Sequence, residues 1–135
     1  MTESDHVQAT KTILIVEDEV DLREALESAM TVAGGFNTLT AGDGEVGLEV
    51  ALAEKPDMIF LDVRIPKLDG SQVLEQIRSA GDWGERVPVS ILSAQSDLSA
   101  ISRAMEVGDP HTNYLTKTDW SLEQLVTHVK DVLRV

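Results

Sequence analysis

Four apolar runs of the sequence each end in a polar side chain that is able to do chemistry. In chain order, the residues that follow these runs are Glu17-Asp18, Asp62, Ser93 and Lys117. Carboxylates that lie close together form a suitable site for Mg2+. This ion prefers oxygen ligands and usually takes one or two protein carboxylates together with phosphate oxygens. A hydroxyl and an ammonium group beside them suit phosphoryl transfer, in which catalysis is mostly positioning and charge neutralisation. A carboxylate is also able to act as the nucleophile and form an aspartyl-phosphate.

That chemistry requires the four runs to be neighbouring strands of one sheet. Short apolar stretches bounded by turn residues predict strands, here at 12–16, 36–40, 58–62, 87–92 and 114–116. Apolar residues spaced three and four apart predict helices, here at 21–33, 43–53, 71–80, 98–105 and 122–133, with a loop at 81–85. Ser121 and Gln124 form the capping-box pattern before the last helix.

Strands that alternate with helices predict an α/β fold, a parallel sheet covered by helices on both faces. Among such doubly wound sheets, the flavodoxin-like (βα)5 order 2-1-3-4-5 is common, and its ligand crevice lies between strands 1 and 3. Glu17, Asp18 and Asp62 would meet at that crevice. Strand 2 is less apolar than the others, which predicts an edge position.

Composition limits the function classes. The 135 residues predict one domain at 11–135 after a flexible, polar tail at 1–10. The 24 acidic and 11 basic residues give a net charge of -13, which argues against direct nucleic-acid binding. The absence of cysteine excludes disulfides and thiolate catalysis. No apolar run is long enough to cross a membrane and no secretory signal precedes the domain, so we expect a cytoplasmic protein.

The motifs resemble those of response regulator receiver domains of the CheY-like superfamily, and the resemblance covers 11–135. The residues that carry it are Glu17-Asp18, Asp62 with Pro66 and Asp69-Gly70, Ser93-Ala94, and Tyr114 with Lys117. The resemblance implies a phosphoacceptor switch of a two-component phosphorelay, which transfers phosphoryl groups only to and from itself and is not an enzyme in the usual sense. The sequence leaves open whether the chain is a single-domain regulator or the receiver part of a longer protein.

The resemblance also implies a role for each site residue. Asp62 accepts a phosphoryl group from a sensor histidine kinase or a phosphotransfer protein. Mg2+ is the cofactor, bound by Asp18 and Asp62, by Glu17 through water, and by the backbone carbonyl of Arg64. Lys117 pairs with the phosphoryl oxygens.

The same resemblance predicts how phosphorylation reaches the surface. Ser93 moves to bond the phosphoryl group, and Tyr114 follows into the space that Ser93 leaves. The surface of predicted helix 4, strand 5 and predicted helix 5 then changes and binds an unidentified downstream protein. We expect a monomer or a weak phosphorylation-dependent dimer.

The sequence differs from the family pattern in three places, and each difference leads to a structural prediction. Thr118 replaces the usual proline after Lys117, so a trans peptide is predicted there, because a cis bond to a non-proline residue costs about 2.5–4 kcal/mol. The segment 108–114 is longer than usual, so strand 5 is expected to begin with a bulge. Arg64 is either a solvated loop arginine or a partner of the acidic residues that alters phosphoryl lifetime together with Gln95.

Other interpretations stay open beside this one. Each of four residues also has a purely structural interpretation. Asp18 could be an acidic residue at a helix N-terminus, and Ser93 could be an ordinary loop hydroxyl. Lys117 could be a solvated residue at a strand end, and Tyr114 could be a core aromatic. A haloacid-dehalogenase-type phosphatase would need a second acid where Arg64 stands. A phosphate-independent, receiver-like binding module remains the alternative function.

Overall fold

The computed structural model describes residues 10–94 and 109–135. Five strands form one sheet in the order β2-β1-β3-β4-β5, and all neighbouring strands are parallel. The strands are β1 (Thr12–Val16), β2 (Asn37–Ala41), β3 (Met58–Asp62), β4 (Val89–Ser93) and β5 (Thr112–Thr116). The predicted α/β class, strand order and edge position of strand 2 are confirmed.

Helices connect these strands on both faces of the sheet. The described residues contain α1 (Val20–Ser28), which continues as a π-helical turn (Ala29–Ala33), α2 (Gly44–Glu54), α3 (Gly70–Arg78), α4 (Gly81–Arg86) and α5 (Leu122–Leu133). Predicted helix 4, at 98–105, falls outside the described residues. Predicted helix 5 is α5, and its Ser121–Gln124 capping box is present. Within the described ranges, no helix has the length and apolarity to cross a membrane.

The prediction of a loop at 81–85 was wrong, because this stretch forms the short helix α4. Gly81 adopts φ +84°, a left-handed conformation that favours glycine and that separates α3 from α4. The Trp83 indole N–H then donates a 3.0 Å hydrogen bond to the Pro56 carbonyl. The half-buried indole packs against the core beneath α3, and this tertiary contact stabilises a helix too short to show periodicity.

The prediction of a bulge at the start of strand 5 was also wrong. β5 pairs with β4 without interruption, from Val89–Thr112 to Ser93–Thr116. The extra length forms a turn before the strand, in which Asp109 Oδ1 accepts a 2.8 Å hydrogen bond from the His111 N–H. Strand 5 therefore has five residues rather than the predicted 114–116.

One arginine joins α3, α4 and the start of β5. The half-buried Arg78 guanidinium donates five hydrogen bonds of 2.7–3.2 Å, to the Asp109 carboxylate, the Thr112 hydroxyl and the carbonyls of Gly84, Val87 and His111. We call this group of contacts the Arg78 network. It lies at the edge of the sheet where the strands begin.

The alternation of side chains along the strands gives the sheet two apolar cores. Ile13 and Ile15 of β1 pack with Leu26 of α1 and Val126 of α5 on one face. On the other face, Leu14 and Val16 pack against α2 and α3. All residues of β3 and β4 are buried, as expected for central strands of a parallel sheet covered on both sides.

Candidate functional site

The carboxyl ends of β1 and β3 bring three acidic side chains together. Carboxylate oxygens of Glu17, Asp18 and Asp62, which we call the acid pocket, all lie within 4.8 Å of one another. Glu17 is 1% exposed and Asp62 is 5% exposed, whereas Asp18 lies at the exposed rim. The expected convergence of these residues between strands 1 and 3 is present, because β1 and β3 are neighbours in the sheet.

Lys117 brings a positive charge into the acid pocket from the end of β5. Its Nζ lies 2.8 Å from Asp62 Oδ2 and 2.9 Å from Glu17 Oε1. Burial alone would lower the pKa of Lys117, but the hydrogen bonds and charges of Asp62 and Glu17 outweigh it and raise this pKa above its usual value. The ammonium group is therefore firmly protonated and stabilises two buried carboxylates.

The Lys117–Thr118 peptide is trans, as predicted. Lys117 opens a single 3-10 turn, Lys117–Asp119, directly after β5. This turn holds the ammonium group in the acid pocket although the chain has threonine in place of the expected proline.

The loop after β3 fixes the second oxygen of Asp62. The Arg64 N–H donates a 3.0 Å hydrogen bond to Asp62 Oδ1, and Arg64 is an exposed residue. The loop returns tightly, since a Cβ on Gly70 would lie 2.6 Å from the Asp62 carbonyl oxygen. The Pro66 carbonyl accepts a 3.0 Å hydrogen bond from the N–H of Gly44, which joins the loop to the start of α2.

Ser93 ends β4 beside the acid pocket and is fully buried. Its Oγ has no hydrogen-bond partner in the part of the chain that the structure describes. A buried hydroxyl without a partner costs about 1–3 kcal/mol, so Ser93 is suited to a ligand that brings its own acceptor oxygen.

Tyr114 is half-buried on β5, opposite Ile91 of β4, and packs against the core on the α2 and α3 face. Burial raises the pKa of the Tyr114 hydroxyl, and the nearby Asp109 carboxylate adds to that rise. The predicted strand position of Tyr114 is present, two residues before Thr116, which pairs with Ser93. Gln95 lies outside the described residues.

The residues present fit a hard divalent cation. The acid pocket offers three carboxylates against one ammonium group, so negative charge remains after the Lys117 contacts. Oxygen ligands in this number suit Mg2+, which keeps several waters of its own. Glu17 Oε1, moreover, is buried and receives no hydrogen bond in the described ranges beyond its ion pair with Lys117.

The histidines stand apart from these residues. His128 Nε2 lies 2.9 Å from the Ser90 Oγ on β4, and the His128 and Trp120 rings pack in a T-shaped arrangement at a centroid distance of 5.4 Å. Burial lowers the pKa of His128, and Asp131 opposes this only in part. The His111 carbonyl belongs to the Arg78 network, and His6 lies outside the described residues.

Sequence reasoning missed Arg23. Its Nη1 donates a 2.8 Å hydrogen bond to the Glu17 backbone carbonyl. In the sequence, Arg23 is one polar residue of an amphipathic helix, and nothing in its spacing marks a contact with the main chain of β1.

The comparisons with known proteins agree with one another. The sequence model of the family described as response regulator receiver domain matches residues 13–130. A probable transcriptional regulator, ycf27, of Porphyridium aerugineum is 34% identical over 122 residues, which cover 90% of this chain and 48% of that protein. The response regulator MprA of Mycobacterium leprae is 34% identical over 122 residues, 90% of this chain and 50% of that protein. The chain thus spans about half the length of these curated relatives.

Solved structures give the same fold. A putative response regulator from Chloroflexus aurantiacus is 31% identical with a TM-score of 0.80, over 94% of this chain and 100% of that chain. The receiver domain of a sensor histidine kinase from Pseudomonas aeruginosa is 25% identical with a TM-score of 0.80, over 94% of this chain and 100% of that chain. That structure has a magnesium ion coordinated in the active site cleft.

The family match runs from within β1 to within α5 and so includes every strand of the sheet and all the residues of the acid pocket. Proteins of this family are signalling proteins of two-component systems rather than classical enzymes. The chain belongs to the response regulator receiver domain family.

Proposed function

We propose that this receiver domain is a phosphoacceptor switch in which Asp62 accepts a phosphoryl group from a sensor histidine kinase or a phosphotransfer protein. One observation supports this most strongly. The Asp62 carboxylate lies within 4.8 Å of the other two carboxylates of the acid pocket and is bonded to Lys117 Nζ at 2.8 Å. A buried nucleophile is thus held between a cation and a set of metal-ligand oxygens.

In the proposed transfer, a carboxylate oxygen of Asp62 attacks the phosphorus of a phosphohistidine. The new O–P bond forms as the N–P bond breaks, and the imidazole nitrogen leaves with the bonding electrons and takes up a proton. Hydrolysis of the aspartyl-phosphate by water returns the free carboxylate and inorganic phosphate. No oxidant or further substrate is needed.

The acid pocket is the proposed Mg2+ site. Asp18 and Asp62 would bind the ion directly, Glu17 through water, and the backbone carbonyl of Arg64 would complete the protein ligands. When bound, Mg2+ neutralises negative charge on the transferring phosphoryl oxygens. Lys117, already placed 2.8 Å from Asp62 Oδ2, supplies the protein's own positive charge.

Ser93 and Tyr114 are proposed as the switch residues. The buried Ser93 Oγ, without a partner in the described ranges, gains an acceptor when the phosphoryl group arrives. Tyr114 follows Ser93, and the surface of predicted helix 4, β5 and α5 changes for a downstream protein. The proposal extends to Arg64 and Gln95 as residues that alter the rate of phosphoryl loss.

The net charge of -13 supports a protein rather than a nucleic acid as the direct partner of this domain, because phosphates are bound by basic residues. We propose a cytoplasmic location, since kinases and phosphotransfer proteins deliver phosphoryl groups there. A monomer, or a weak dimer formed on phosphorylation, is the proposed assembly.

The proposal is tested by intact mass spectrometry after incubation with acetyl phosphate and Mg2+. Wild type should gain about 80 Da, the mass of one phosphoryl group, and should lose this adduct when Mg2+ is chelated. Asp62→Asn should gain nothing while keeping the same circular dichroism spectrum.

Two other outcomes would decide against the proposal. A folded wild type without an adduct from any donor would favour the phosphate-independent binding module. Turnover of many donor molecules per protein would favour a phosphatase instead.

A further inference from the structure

The carboxyl end of β1 is held by contacts on both sides of Glu17. Its N–H donates a 3.0 Å hydrogen bond to the Ala41 carbonyl of β2. Its carbonyl oxygen accepts a 2.8 Å hydrogen bond from Arg23 Nη1 on α1. The chain then leaves the sheet through Asp18, so the Arg23 contact is made where sheet pairing no longer guides the backbone.

Gly42 leaves room for the Arg23 guanidinium at this corner. A Cβ built on Gly42 would lie 3.1 Å from Arg23 Nη1 and 3.8 Å from its Cζ. Gly42 directly follows β2, so the half-buried arginine joins α1, the end of β1 and the turn before α2. The Arg23 side chain is therefore packed at this corner of the molecule and is not a fully solvated surface residue.

We infer that Arg23 is a positioning residue that sets the direction of the Asp18 carboxylate in the acid pocket. The Glu17 carbonyl shares a rigid peptide plane with the Asp18 nitrogen. A hydrogen bond that fixes this carbonyl also fixes the point from which the Asp18 side chain begins. Asp18 is exposed, and its carboxylate accepts no hydrogen bond within the described ranges. The Arg23 contact with the Glu17 carbonyl therefore fixes the backbone from which this carboxylate reaches the acid pocket.

The sign of the effect separates positioning from simple electrostatics. As a nearby positive charge, Arg23 would repel Mg2+, so its removal would strengthen Mg2+ binding. As a positioning residue it holds a ligand in place, so its removal weakens binding. Partners that orient metal ligands typically contribute about 10- to 100-fold to affinity.

The experiment is titration calorimetry of Mg2+ into the apo protein for wild type, Arg23→Met, Arg23→Lys and Arg86→Met. Arg23→Met keeps the apolar stem and should bind Mg2+ roughly 10-fold more weakly, at the lower end of the range for such partners because the lost charge offsets part of the effect. Arg23→Lys keeps a charged donor and should bind with intermediate affinity. Arg86→Met removes the same charge from an exposed position of α4, near the amino ends of the strands, and should not weaken binding.

A second variant tests the contact without removing the arginine. Gly42→Ala pushes on the guanidinium through a 3.1 Å contact and should also weaken Mg2+ binding, by less than Arg23→Met does. The two effects should not add in the double variant, because both act through one contact. Circular dichroism of each variant confirms that the sheet is intact.

The inference rests on the proposed Mg2+ site, and the outcomes separate the two. Wild type that binds no Mg2+ would overturn both. Wild type that binds Mg2+, with Arg23→Met binding equally or more tightly, would overturn the positioning role alone.

Discussion

At the residue scale, β4 carries two buried serines in opposite situations. Both are fully buried, but Ser90 Oγ lies 2.9 Å from His128 Nε2, whereas Ser93 Oγ has no partner in the described part of the chain. Removing an unpaired buried hydroxyl removes the free-energy cost of its desolvation. Removing a paired one leaves its hydrogen-bond partner buried and unpaired, which costs free energy.

Ser93→Ala should therefore stabilise the unphosphorylated domain by about 1 kcal/mol, while Ser90→Ala should destabilise it by about 1 kcal/mol. Urea unfolding, followed by circular dichroism, measures both. Ser93→Ala should also shorten the lifetime of the phosphorylated form. A destabilised Ser93→Ala variant would show that this hydroxyl has a partner in the resting state.

Lys117 has a structural role in the unphosphorylated acid pocket in addition to its proposed role in phosphoryl transfer. Lys117→Met should lower the free energy of unfolding by about 3 kcal/mol, because two carboxylates that are almost fully buried lose their cation. This is the lower end of the range for a buried ion pair, since the Lys117 side chain is itself 20% exposed. Mg2+ should restore more stability in this variant than in wild type. The comparison is urea unfolding with chelator and with excess Mg2+, and an equal gain in both proteins would contradict it.

Strand ends are where sequence reasoning was most informative about single residues. The acid pocket and Lys117 were predictable because parallel strands place their carboxyl ends at one edge. Arg23 and Arg78 were not, since each donates to backbone carbonyls, and a carbonyl has no residue type to recognise in a sequence.

At the element scale, the Arg78 network joins α3, α4 and the turn before β5. Arg78→Met should lower the free energy of unfolding by about 3 kcal/mol, since several buried or half-buried acceptors lose a charged donor together. Arg86→Met, on the exposed face of α4, is the matched control and should change stability by less than about 0.5 kcal/mol. Equal effects would mean that the network adds little.

Asp109 makes the same network sensitive to acid. Burial alone would raise the pKa of Asp109, but hydrogen bonds from Thr112, His111 and Arg78 outweigh it and hold this pKa below its ordinary value of 3.8. Because the folded pKa is the lower one, the stabilisation is complete above about pH 4 and is lost as the pH falls through the folded value. The stability difference between wild type and Asp109→Asn should therefore shrink below pH 4 in urea unfolding, and a constant difference would contradict this.

Element boundaries were predicted least well in the chain between β3 and β5. The strongly apolar β3 was predicted with its observed bounds, and β4 was placed within two residues of its observed start. α4 was missed, because Trp83 and Gly81 hold it through tertiary contact and backbone conformation rather than through periodicity. β5 was predicted too short, because Thr112 and Asn113 are polar and join the strand only by pairing with β4.

At the scale of the whole molecule, 24 acidic residues against 11 basic ones oppose the compact state by self-repulsion. Salt should raise the melting temperature by screening. MgCl2 should raise stability further than NaCl of equal ionic strength, by about 1.4 kcal/mol at a Mg2+ concentration ten times its Kd. Asp18→Asn should keep the response to NaCl and lose the excess response to MgCl2.

The global fold was predictable because every level of the sequence agreed on it. Five strands, three of them strongly apolar, with helical spacing between them and turn residues at their ends allow few topologies, and the sheet order follows from the commonest of these. The position of the acid pocket followed from that order. What did not follow was the packing at the opposite edge, where single side chains such as Arg78 decide how turns are folded.

The two tryptophans are fluorescent groups that lie in different parts of the molecule. Trp120 follows Lys117 by three residues and touches the His128 ring, whereas Trp83 is bonded to Pro56 at the far edge of the sheet. The fluorescence of Trp120 therefore responds to changes around its contact with His128 on α5, whereas that of Trp83 responds to changes around Pro56, where the strands begin. Replacing Trp83 with phenylalanine removes the Pro56 hydrogen bond and leaves Trp120 as the single indole of the chain. The fluorescence of that variant then reports on the surface of α5 without a dye attached.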